Sequence, residues 1–83
     1  MIPSTDIQIS VDEPNWEPLE RALTLRECSD FMYMGRAGEI ELYKHYMTRR
    51  YLNIARDSRT FYRYSEGEYV EVPQAEALDH VYR

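Results

Sequence analysis

The stretch from Gly38 to Val72, GEIELYKHYMTRRYLNIARDSRTFYRYSEGEYVEV, decides the fold. Apolar and polar residues alternate through Glu39–Tyr46, Arg50–Ile54, Thr60–Tyr64 and Glu68–Val72. Period two in segments rich in Tyr, Ile, Val and Phe marks half-buried strands. Glu66-Gly67 has the residue types of a two-residue hairpin turn. That turn sets Ser65 opposite Glu68, Tyr64 opposite Tyr69 and Phe61 opposite Val72.

Residues opposed across a ladder point to the same face of the sheet. One predicted face therefore carries Phe61, Arg63, Val70 and Val72, joined by Ile40, Leu42, Leu52 and Ile54 from the first two strands. The other carries Tyr43, Tyr51, Tyr62, Tyr64 and Tyr69, with Glu41, His45, Asn53 and Glu71 among them. The first face is aliphatic and suited to packing. Tyrosine buries apolar area while keeping a hydroxyl for water or a partner, so the second suits an interface.

On the N-terminal side, residues 1–6 read as a loose end. Ile7, Ile9 and Val11 alternate with polar residues, as either a short edge strand or an arm that orders on a partner. Trp16, Leu19, Ala22 and Leu23 recur at helical spacing, and Pro18 suits a first helical turn. Thr24-Leu25-Arg26-Glu27 matches a capping box, which favours a second helix starting there. The spacing predicts that helix over Leu25–Met34, with Leu25, Cys28, Phe31 and Met32 on its apolar side and Gly35 as its stop. After the strands, Pro73 opens a short helix to Tyr82.

The expected fold is α+β. An antiparallel four-stranded meander, with Ile7–Val11 as a candidate fifth edge strand, packs on an N-terminal helix, and a short C-terminal helix closes the core. With 83 residues and no linker-like segment, residues 1–83 read as a single small domain.

The net charge of −5 is unevenly spread. Residues 1–30 hold two basic against seven acidic residues, residues 31–64 seven against three, and residues 65–83 one against five. The overall sign disfavours a dedicated nucleic-acid binder, while the basic centre leaves local contact with an anion open. A lone cysteine, Cys28, excludes an internal disulfide and fits a reducing compartment. No apolar run approaches the ~20 residues of a membrane helix, and the N-terminus lacks the pattern of a secretory signal. A cytoplasmic protein without a membrane partner is expected.

Catalytic signals are absent from the sequence. His45 and Glu41 share a strand face but are too few for a closed zinc site. Both His45 and His80 read as solvent-facing, and Cys28 reads as a small core residue. Gly35, Gly38 and Gly67 open no helix, so no phosphate loop is present. No enzyme activity, metal or cofactor is expected. The residues expected to bind are Tyr43, His45, Arg49, Arg50, Tyr51, Tyr62, Tyr64 and Tyr69. Their expected partner is an acidic protein surface or a second copy of the chain, with single-stranded nucleic acid as the alternative.

Overall fold

Strands begin earlier than the alternation suggests. In the computed structural model, which describes residues 13–83, the first strand starts at Phe31. The elements are α1 (Glu17–Ala22), α2 (Leu25–Cys28), β1 (Phe31–Ala37), β2 (Ile40–His45), β3 (Tyr51–Ala55), β4 (Phe61–Ser65), β5 (Glu68–Val72) and α3 (Gln74–Tyr82). The fold is α+β, and the strands form one antiparallel meander in sequence order with five members rather than four. The fifth strand is β1; Ile7–Val11 lies outside the described residues.

Two helices precede the sheet because the capping box divides them. The Thr24 side chain accepts from the Glu27 amide at 3.1 Å while the Glu27 carboxylate accepts from the Thr24 amide at 2.9 Å. The second helix ends at Cys28, not at Met34, and Leu25 is 75 % exposed rather than buried. Phe31-Met32-Tyr33-Met34 is apolar at every position, so periodicity alone does not separate helix from strand there. Pairing with β2 settles it: Phe31 lies opposite His45 and Tyr33 opposite Tyr43.

The β4–β5 hairpin has the expected register, with Ser65 opposite Glu68 and Phe61 opposite Val72. Its turn places Glu66 at φ 49° and Gly67 at φ 88°, and two left-handed residues give the twist that a tight hairpin needs. All three helices lie over one face of the sheet. Leu19, Phe31, Tyr43, Leu52, Ile54, Phe61, Ala77 and Val81 form the core there, with Cys28 at its margin.

The assignment of faces is correct in β3, β4 and β5 and inverted in β2. Tyr43 opposes Leu52 and Glu41 opposes Ile54, so Glu41, Tyr43 and His45 point into the core. Ile40 and Leu42 point the other way, beside Ala55 and Asn53. The cause is the loop between β2 and β3. His45 donates its amide to the Arg50 carbonyl and accepts from the Arg49 amide, both at 2.9 Å, leaving four residues between the paired ends. A loop one residue longer or shorter would flip β2 and put its aliphatic residues inside.

Candidate functional site

The core face holds a buried ionic cluster. Glu41 is fully buried, and its carboxylate accepts from Tyr33 Oη, from Arg36 Nε at 3.1 Å to each oxygen, and from Arg56 Nε at 3.3 Å. Burial raises the Glu41 carboxyl, but the hydrogen bonds from Tyr33, Arg36 and Arg56 outweigh it and hold the group below its ordinary value. Burial and the same carboxylate push the Tyr33 hydroxyl up to about 12.

A β-bulge assembles this cluster. Tyr33 pairs with Tyr43, but the next pair is Arg36 with Glu41, so Met34 and Gly35 together oppose Leu42. If the same residues paired without the bulge, Gly35 would face Glu41, and Arg36 would point to the opposite side of the sheet. Gly35 takes φ 105°, a conformation that side chains rarely adopt. A glycine inside an apolar run is a sequence signal for a bulge, so this feature could have been read in advance.

Tyr43 and His45 are corrections to the expected binding set. Tyr43 has no exposure, and its hydroxyl donates to the Asn15 carbonyl at 2.6 Å, tying the segment before α1 to the sheet. His45 is 6 % exposed, not solvent-facing. It lies edge-on to Phe31 and Tyr82, and its Nδ1 accepts from the Met47 and Thr48 amides. Internal hydrogen bonds meet the Tyr43 hydroxyl and the His45 Nδ1, which lets the core hold them.

The other expected residues stay together. Tyr51, Tyr62, Tyr64 and Tyr69 share the face opposite the helices, alongside Leu42, Asn53 and Glu71. Tyr64 and Tyr69 meet edge to face with centroids 4.9 Å apart, and Lys44 Nζ lies 5.8 Å from the Tyr51 ring centroid. Burial, then the neighbouring Tyr64 and Tyr51 hydroxyls, raise the Tyr69 hydroxyl above its ordinary value. Arg49 and Arg50 are exposed in the β2–β3 loop, as expected. That loop is anchored to α3 through Thr48 Oγ1, which donates to the Val81 carbonyl at 2.6 Å.

Sequence reasoning missed a gap inside the sheet. The β3–β4 ladder contains only the pairs Asn53–Tyr62 and Ile54–Phe61. A continued ladder would join Leu52 to Arg63 and Tyr51 to Tyr64; the strands separate there, and a cavity of about 380 Å³ opens. Arg63 and His80 reach it from the helix side, where Arg63 also meets Glu76 at 3.5 Å. Burial, then the charges of Arg63 and Arg50, push the His80 imidazole below its ordinary value. His80 was expected merely to face solvent. Nothing in the alternation pattern signals the separation, because both strands keep period two throughout.

Among the described residues no cluster of three His, Cys, Asp or Glu could hold a metal ion, and no helix is long and apolar enough to cross a membrane. Comparison with protein-family models, curated proteins and solved structures finds no match to this chain.

Proposed function

We propose that this protein is a non-enzymatic interaction module that meets a protein partner, or a second copy of itself, through its tyrosine face and the Arg49–Arg50 loop. The supporting observation is the placement of Tyr51, Tyr62, Tyr64 and Tyr69 on a sheet face that none of the three described helices covers. Tyr51 is 37 % and Tyr64 60 % exposed, leaving large amphipathic rings available for contact. The basic central third of the chain supplies cations to an acidic surface, and the acidic thirds on either side could meet that centre on a second copy. A cytoplasmic setting suits Cys28, a free and buried thiol that burial raises above its ordinary value.

Molar mass by light scattering, at low and high salt, tests the self-association version. A species near twice the 10.0 kDa chain mass at low salt that dissociates as salt rises supports it. A monomer at high protein concentration in both salts removes it and leaves a different protein as the partner. Single-stranded nucleic acid is the second reading, favoured by Lys44 and Arg50 beside exposed tyrosine rings. Oligonucleotide affinity that does not fall as salt rises would exclude it.

A further inference from the structure

Asn53 lies at the point where β3 and β4 part. It is 2 % exposed, and its Nδ2 donates to the Tyr62 carbonyl at 3.3 Å. That bond fixes which way the amide faces, and its other atom, Oδ1, is buried without a hydrogen-bond partner. It is the one such side-chain atom among the described residues, and Asn53 lines the cavity between the strands. A buried acceptor without a donor is unfavourable, so a donor brought to it from outside the chain would be stabilising.

The rest of the cavity defines what that donor belongs to. Tyr51, Tyr64 and Tyr69 give it aromatic walls, and Arg50 and Arg63 bring two guanidinium groups to it. None of the described residues lining it is acidic; the Glu76 carboxylate that meets Arg63 at 3.5 Å lies outside the lining. Its volume of about 380 Å³ falls near the lower end of the roughly 300–1,000 Å³ typical of small-molecule sites. Flat walls select a planar ring, the unpaired Oδ1 selects an N–H on that ring, and the two arginines select an attached anion.

We propose that the slot between β3 and β4 binds a nucleoside monophosphate. The base stacks against the tyrosines and donates an N–H to Asn53 Oδ1, and the phosphate meets Arg50 and Arg63. The assignment goes beyond the interaction-module reading, because a mononucleotide needs no second chain. A mononucleotide and the terminal nucleotide of a single strand present the same chemistry, and the test separates them.

The experiment titrates the full 83-residue chain with adenosine and uridine 5′-monophosphates, following heat and the NMR signals of the Asn53 amide and the His80 ring. The nucleosides, inorganic phosphate and an oligothymidylate serve as comparison ligands. At least one monophosphate should bind saturably, about tenfold or more tighter than its nucleoside or phosphate alone. Binding should shift both NMR signals, and the His80 titration midpoint should rise because an anion offsets the nearby arginine charge. Arg50→Ala and Tyr64→Leu alter exposed residues and should each weaken binding by about tenfold, as should Asn53→Leu if it folds. The proposal is overturned if neither monophosphate saturates, if phosphate alone binds equally well, or if only the oligonucleotide binds. It is equally overturned if Arg50→Ala and Tyr64→Leu both leave affinity unchanged.

Discussion

Replacing Glu41 with glutamine keeps the side chain's shape and removes its charge. Glu41 is fully buried, so its hydrogen-bond partners rather than water stabilise the carboxylate. Arg56 is 46 % exposed and its bond to Glu41 is 3.3 Å long, so solvent screens that pair and it contributes about 0–1 kcal/mol. Tyr33 and Arg36 are the stronger partners, and hydrogen bonds to a charged group contribute about 1.5–3 kcal/mol each. Glutamine keeps one carbonyl acceptor but turns an N–H₂ group toward a donor. Losing one strong bond and weakening the other gives a destabilisation of about 3 kcal/mol. That is a large share of the roughly 4–12 kcal/mol expected of 83 residues, and lowers Tm by roughly 12–24 °C. Urea denaturation followed by circular dichroism measures it. In acid the wild type should also lose a contribution that E41Q lacks at every pH, so the gap between the two narrows. The folded-state pKa of Glu41 lies below the ordinary 4.5, so its contribution is complete above 4.5 and disappears as pH falls through the folded value. Arg56→Ala should cost under about 1 kcal/mol. An E41Q protein within ~0.5 kcal/mol of wild type, with the same acid profile, would refute the argument that this carboxylate is held by its partners.

Leu52→Ala should destabilise by about 2–5 kcal/mol in the same assay, because Leu52 has no exposure and packs in the core; a loss well below 1 would mean the helices lie on the other face. Gly35→Ala should destabilise by about 1–3 kcal/mol, all of it from the backbone, since an added Cβ meets nothing within 4 Å while φ stands at 105°. An unchanged Tm for that variant would show that the bulge does not depend on glycine.

The sequence by itself determined what local chemistry controls. The capping box at Thr24–Glu27, the Glu66-Gly67 turn and the register it sets depend on neighbours a few residues apart. So do the faces of β3, β4 and β5, because Leu52 and Ile54 share one side of β3 and the hairpin register sets Phe61 beside Val72 on one side of β4 and β5. Tyr51, Tyr62, Tyr64 and Tyr69 were therefore legible as one surface. Only the tertiary structure decided β1 and the orientation of β2. The run at Phe31–Met34 is apolar throughout and becomes a strand only because β2 pairs with it. In β2 the loop to β3 turns the more polar set inward, against the rule of hydrophobicity, and the core tolerates it because distant groups satisfy it: Arg36 and Arg56 for Glu41, and the Asn15 carbonyl for Tyr43. The slot between β3 and β4 belongs to the same class. Alternation fixes which side of a strand each residue faces, but not where two neighbouring strands stop pairing. That depends on how the sheet and α3 pack together, which no short stretch of the chain encodes.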